Sequence, residues 1–280
     1  MKKLRNLVVV MCLMLCTVML VACGGNELNK EASVSKKGYV SSNKEEFTEF
    51  AAKLSSTEEN TDLNAYKLTL KMDGKYEKAG IAATANIFVN IIATVDAENK
   101  INGMAMKLES GKLKMNVYYT DGYEYLYFKD ENNEYKYKVA ANLSDVEISE
   151  GGGHMYLSVI GSALMSIEEN EALGDKITYK KAVKGSETRF NVNYTLDKTS
   201  LDFYIQNTND KTTGAEMNMK NDNLDIKLAL TKFTGKIDYP SFKKYSDVTE
   251  VVATALTESI GTSIDTITTS MQTFMEAVAK

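Results

Sequence analysis

Residues 113–128 read LKMNVYYTDGYEYLYF, and this stretch carries the pattern that decides the fold. Apolar and polar side chains alternate along its first half, and its second half is aromatic on both faces. Asp121 and Gly122 separate the halves, and this pair is typical of a tight β-hairpin turn. Because alternation with period two marks a strand with one buried face, the stretch predicts two antiparallel strands.

The same alternation continues on both sides of this hairpin. It occupies residues 66–73, 85–95 and 104–108 before the hairpin, and residues 135–139 and 188–230 after it. Turns rich in Gly, Asn and Asp separate the runs. We therefore predict roughly ten antiparallel strands, each with one apolar face.

Three other segments have helical spacing of apolar residues. They are a short segment after Asn43, residues 154–169, and residues 247–279, where Asp247 and Glu250 stand in capping-box spacing. A large antiparallel sheet cannot leave its apolar face in water, and helices could cover it. We therefore predict an α+β fold, in which a large curved antiparallel sheet, or half-barrel, holds helices in its concave face.

The first residues have the pattern of a signal peptide. Lys2, Lys3 and Arg5 precede an uncharged apolar run over residues 7–20, which is short for a membrane span. The run closes with the letters LVAC, ending at Cys23, and this motif resembles the bacterial lipobox. The resemblance implies cleavage before Cys23 and attachment of a palmitate-type lipid anchor to its sulfur, which would hold the protein on the membrane.

These features predict a domain organisation. Residues 1–22 form the signal peptide, residues 23–42 a lipidated flexible tether that is polar in composition, and residues 43–280 a single half-barrel domain with the long C-terminal helix 247–279. Cys12 and Cys16 leave with the signal peptide, so the mature chain is predicted to have no disulfide. The expected location is the outer, extracytoplasmic face of the cell membrane, and the scarcity of arginine indicates a Gram-positive host.

The strand pattern and the hairpin also resemble a known group of proteins. Residues 118–127 look like the strand–turn–strand of uncharacterised Gram-positive lipoproteins. The predicted architecture is similar to the half-barrel of the Lol-type lipoprotein carriers. This resemblance implies binding of a lipid or another apolar ligand between the sheet and the helices.

Charge limits the partners. The chain has 33 basic and 38 acidic residues, and loss of Lys2, Lys3 and Arg5 leaves 30 against 38, a net charge of −8. No basic block stands out, which argues against nucleic acid as a partner. The same balance argues against attraction to anionic lipid head groups, so that the anchor itself must hold the protein on the membrane.

The sequence offers little for catalysis. His154 is the only histidine, and no thiol remains in the predicted mature chain, so neither a Cys–His pair nor a histidine-based metal site can form. No G-x-S-x-G nucleophile motif is present. We therefore predict a protein that is not an enzyme and has no catalytic residue, cofactor or metal.

The tyrosines of the hairpin are the strongest candidates for a ligand surface. They include Tyr119, Tyr123, Tyr125 and Tyr127, and cross-strand packing is the alternative explanation for them. Ile267 and Phe274 extend the candidate surface onto the second half of the C-terminal helix, which is either a movable lid or fixed core. Two functions remain open: non-enzymatic binding of an apolar ligand, and a partner-binding, envelope-sensing or structural module with a filled core.

Overall fold

The structure is a computed structural model. It describes residues 26–52, 62–78, 81–96, 100–140, 157, 160, 161, 164, 176–196 and 198–247. The predicted signal peptide, Cys23, His154, Ile267 and Phe274 lie outside the described residues. So does the predicted C-terminal helix, apart from Asp247.

One sheet of thirteen strands forms the described part of the chain, in the order β1-β8-β9-β10-β11-β12-β2-β3-β4-β5-β6-β7-β13. Neighbouring strands are antiparallel, apart from β13, which runs parallel to β7. The strands are β1 Val40–Ser42, β2 Tyr66–Lys78, β3 Ile81–Val95, β4 Ile101–Ser110, β5 Leu113–Thr120, β6 Tyr123–Lys129, β7 Glu134–Ala140, β8 Ile177–Lys184, β9 Glu187–Leu196, β10 Thr199–Thr208, β11 Lys211–Lys220, β12 Leu224–Lys232 and β13 Ser246–Asp247.

The two faces of the sheet differ in chemistry, and we call them the apolar face and the polar face. A single register row on the apolar face runs from Leu228 through Leu70, Val89, Leu108 and Met115 to Phe128, and all of these side chains are buried. The adjacent row on the polar face contains Glu216, Thr69, Asn90, Lys107 and Tyr127. The predicted alternation is therefore confirmed.

The helix α1, Lys44–Ala51, begins as the sequence predicts. The Oδ1 atom of Asn43 accepts a hydrogen bond from the Glu46 amide at 2.9 Å, as an N-cap does. Phe47 and Phe50 are buried, and their rings contact Phe190 of β9 at 5.5 and 4.7 Å. This helix therefore packs on the apolar face at the β8–β9 end of the sheet.

The predicted α+β fold class is wrong. The structure is mostly β, and α1 is the one complete α-helix in the described ranges; Leu157, Ile160, Gly161 and Leu164 are helical too, and two of them pack into the core. The sheet is also larger than predicted, because β1, β8 and β13 carry no strong alternation. Alternation of apolar and polar residues indicates that one face of a strand is buried. It does not indicate whether helices or irregular segments cover that face.

The polar face is covered by two irregular segments. Residues 26–39, which we call the N-terminal strap, open with a 3-10 helix at Asn26–Asn29 and cross the middle strands toward β9. Residues 233–245, the aromatic strap, cross β4, β5 and β6. Neither strap was expected, and residues 26–42 differ from the predicted flexible tether because side chains of the sheet hold them.

The start of the predicted C-terminal helix also differs. Asp247 was expected to cap that helix, but it lies in β13, opposite Lys138 of β7. Its Oδ2 atom makes an ion pair with the Lys138 amine at 2.9 Å. The Asp247 carboxylate thus contributes to the sheet edge, and the predicted helix after it lies outside the described residues.

Candidate functional site

Buried polar side chains hold the N-terminal strap by its backbone. Asn90 donates hydrogen bonds from Nδ2 to the carbonyls of Leu28 and Lys30, both at 2.8 Å. Thr69 Oγ1 accepts from the Ala32 amide at 2.6 Å. Both polar side chains are fully buried, so these bonds satisfy groups that would be costly to bury alone.

Glu216 is the centre of the strap contact. Its carboxylate is fully buried, and its Oε2 atom accepts from the amide of Val34 and the hydroxyl of Ser33, both at 2.9 Å. Lys36 pairs with the other oxygen at 2.8 Å, and Asn218 donates to it at 2.9 Å. Burial acts to raise the pKa of Glu216, but the bonds from Lys36 and Asn218 outweigh it and the pKa lies below 4.5.

Cations fix the two ends of the strap. Lys67, which is buried, donates to the carbonyl of Glu27 at 2.6 Å, and burial lowers its pKa. Arg189 donates from Nη1 to the carbonyl of Ser35 at 2.7 Å and pairs with Glu187 at 2.9 Å. The apolar side chains of the strap lie against the sheet and are buried, namely Leu28, Ala32 and Val34.

The aromatic strap covers part of the tyrosine hairpin. The Phe242 ring stacks on Tyr125 with 3.7 Å between centroids and 11° between planes, and it meets Tyr118 edge-on at 4.8 Å. Tyr245 adds edge contacts to both tyrosines. Tyr125 therefore packs against other rings of the protein and does not form an open ligand surface. This agrees with the alternative explanation, in which the tyrosines serve packing.

Close approach of this strap requires a glycine on β4. A Cβ atom at Gly103 would lie 2.8 Å from Tyr239 Oη and 2.7 Å from Thr94 Oγ1. Tyr239 uses its hydroxyl to donate to the carbonyl of Tyr119 at 3.1 Å, and burial raises its pKa to about 12. The glycine thus leaves room for the strap over the strand.

The predicted tyrosine surface is divided between the two faces. Tyr119 is buried on the apolar side, whereas Tyr123, Tyr125 and Tyr127 share the polar face. Tyr123 and Tyr127 are half-buried, and Lys138 and Lys136 lie over their rings at 4.6 and 5.3 Å. The structure brings three of the four predicted residues together.

One cavity of about 200 Å³ lies beside α1. It is lined mainly by charged and polar groups, including Glu46, Glu49 and Lys181, and also by the rings of Phe50 and Phe190. The pKa of Glu46 is lowered by hydrogen bonds from Ser42 and Lys181. Within the described ranges, no three His, Cys, Asp or Glu side chains are grouped so that they could hold a metal ion.

Sequence reasoning missed the strap contacts and the rings of residues 239–245. A signal was present, because Asn90 interrupts the apolar run FVNIIATV of β3 and Glu216 stands between Ala215 and Met217. A polar residue in a strand that is otherwise buried on both sides indicates a specific partner. The identity of that partner could not be read from the strand alone.

No family model matches the chain, and no match was found among the curated proteins. None of the described helices is long and apolar enough to cross a membrane. The functional argument therefore depends on the contacts within this chain.

Proposed function

We propose that the protein is a lipoprotein of the cell envelope, cut before Cys23 and anchored by lipid on that residue. The observation that carries the proposal is the lipobox-like motif LVAC that ends at Cys23, and the N-terminal strap indicates where such an anchor would place the domain. Asn26, three residues after Cys23, already belongs to a 3-10 helix that Lys67, Asn90 and Lys107 hold on the sheet. A lipid on Cys23 would therefore fix the whole domain close to the bilayer on the outer face of the membrane.

We further propose that the domain acts through its surface, as a partner-binding or structural module with a filled core. Cavities that hold lipid-sized ligands usually measure roughly 300–1,000 Å³ and are mainly apolar. The cavity beside α1 is about 200 Å³ and mainly polar, while the apolar face is packed and buried. Within the described ranges, these features favour the filled-core alternative over binding of an enclosed apolar ligand.

The anchor is tested by Cys23→Ser, because serine cannot form the thioether that carries the lipid. We expect this variant to appear in the medium or to remain as an uncut precursor, without incorporation of radioactive palmitate. Gly24→Ser is the matched control, since it changes the neighbouring residue and leaves the thiol in place. Palmitate labelling of Cys23→Ser at the level of the parent would refute the anchor.

The filled core is tested by native mass spectrometry of the protein purified from its own host. We expect the mass of the chain with its anchor and no further mass. A second, non-covalent lipid-sized mass in stoichiometric amount would refute the filled core and support a carrier of apolar ligands.

A further inference from the structure

The anchor and the N-terminal strap together determine which face of the domain meets the membrane. Consecutive Cα atoms are 3.8 Å apart, so the three peptide units from Cys23 to Asn26 cannot span more than about 11 Å. Asn29 Oδ1 accepts from Lys107 at 3.1 Å, and the Leu28 carbonyl accepts from Asn90. Both contacts lie in the middle of the polar face, on β3 and β4, and not at an edge of the sheet.

The exposed part of the polar face next to this point is rich in tyrosine and lysine. One register row leads from Lys107 through Asn116 and Tyr127 to Lys136, across β4, β5, β6 and β7. Since neighbouring strands lie about 4.8 Å apart, Tyr127 is about 10 Å to the side of Lys107. We call the polar face of β4, β5, β6, β7 and β13, together with the turn at residues 243–244, the tyrosine–lysine surface.

The local charge of this surface is opposite to that of the whole chain. Seven lysines face three carboxylates there: Lys107, Lys114, Lys129, Lys136, Lys138, Lys243 and Lys244, with Glu109, Glu134 and Asp247. Lys243 and Lys244 are exposed at the tip of a turn, between two rings that pack on β5 and β6. Within the part of the chain that the structure describes, neither makes an ion pair.

We propose that the tyrosine–lysine surface binds the anionic lipid head groups of the bilayer that carries the anchor. Tyrosine favours the membrane–water interface, and lysine is attracted by anionic lipids. The reach of about 11 Å is comparable with the screening length of about 8 Å at physiological salt, so the attraction acts at this distance. The inference rests on the proposed lipid anchor. It replaces the expectation that the negative net charge argues against attraction to anionic lipids, because net charge averages over both faces of the sheet.

The test uses the absence of tryptophan from the chain. Tyr127→Trp puts the only indole on the tyrosine–lysine surface, and Tyr137→Trp puts it on the opposite face of the neighbouring strand, also at a half-buried position. Each lipidated full-length mature protein is reconstituted in vesicles of phosphatidylcholine with about one third phosphatidylglycerol, with bromine on the acyl chains near the head groups. We expect strong quenching of the indole at position 127 and weak quenching at position 137.

The charge dependence is tested by Lys243→Gln with Lys244→Gln in the Tyr127→Trp background. Each lysine near an anionic surface contributes about 1 kcal/mol, so losing two should shift the docking equilibrium about 25-fold and reduce quenching. Lys184→Gln with Lys198→Gln, on exposed residues outside this surface, is the control and should change little. Equal quenching at positions 127 and 137, or no effect of the 243–244 change, would overturn the inference. Palmitate labelling of the same preparation separates this failure from failure of the anchor.

Discussion

Glu216 shows how one side chain joins two distant parts of the chain. It lies on β11, yet its carboxylate is bonded to Ser33 and Val34, about 180 residues earlier. A buried carboxylate persists only when charge and hydrogen bonds compensate its lost hydration. Without the strap, this carboxylate would keep only the hydrogen bond from Asn218 and the attraction of Lys227. The strap therefore stabilises the buried carboxylate of the sheet, and that carboxylate in turn holds the strap.

Glu216→Gln should weaken the attachment of the strap to the sheet at neutral pH. The amide keeps the volume but loses the ion pair and one good acceptor, and bonds to charged groups contribute about 1.5–3 kcal/mol each. We expect the free energy of unfolding to fall by about 2–3 kcal/mol in urea titrations at pH 7. The control is Glu134→Gln, because Glu134 is exposed and its pairs with Lys129 and Lys136 are screened by solvent and should contribute little to stability.

The contribution of Glu216 to stability should also depend on pH, and the same variant measures this. Because the folded pKa of Glu216 lies below its ordinary value of 4.5, its contribution to stability is present above pH 4.5 and is lost as pH falls through the folded pKa. The gap between wild type and Glu216→Gln should therefore be constant from pH 5 to 7 and close in more acidic solution. A gap that stays constant down to pH 2.5 would contradict the assignment.

At the scale of elements, the strands were predictable and their coverings were not. The Asp121-Gly122 turn is confirmed, since both residues adopt positive φ, of 53° and 75°, as a type I′ hairpin turn requires. The turn between β10 and β11 consists of Asn209 and Asp210, which also adopt positive φ, of 52° and 60°. Alternation fixes a strand locally, whereas the straps depend on contacts between residues far apart in sequence.

The candidate site was predictable to the same extent as the fold: its residues within strands could be found from the sequence, and their distant partners could not. The sequence identified the tyrosines of β6 because their density is a local feature, but Phe242 and Tyr245 lie more than 100 residues away. The composition of residues 26–39 did not distinguish a docked strap from a tether, because many of the bonds that hold the strap are made by its backbone atoms. Only the polar residues within the strands carried a signal.

Phe242→Ala should release the aromatic strap without unfolding the sheet. The ring stacks on Tyr125 but is only half-buried, so the loss should be about 2–3 kcal/mol, below the cost for a fully buried Phe. We expect the Tyr245 amide, which donates to the Phe242 carbonyl at 3.0 Å, to exchange its hydrogen about 30- to 100-fold faster. Phe242→Tyr keeps the stacked ring and should exchange like wild type. Faster exchange throughout β2 and β3 would show instead that the strap and the sheet unfold together.

At the scale of the whole molecule, the short connection between Cys23 and the strap would, with the proposed anchor, make position on the membrane a property of the fold. Inserting ten Gly and Ser residues between Gly25 and Asn26 raises the maximal reach from about 11 Å to about 49 Å. The typical separation becomes about 20 Å, well beyond the screening length. We expect unchanged thermal melting, because the strap contacts begin after the insertion, but clearly less quenching of an indole at position 127 by brominated lipid. The same insertion in the turn at Asn209 and Asp210, which joins β10 and β11 away from the anchor, should leave quenching unchanged. Full quenching with the long connection would mean that the surface binds lipid without help from the anchor. Equal loss of quenching with both insertions would mean that the effect comes from the inserted residues themselves.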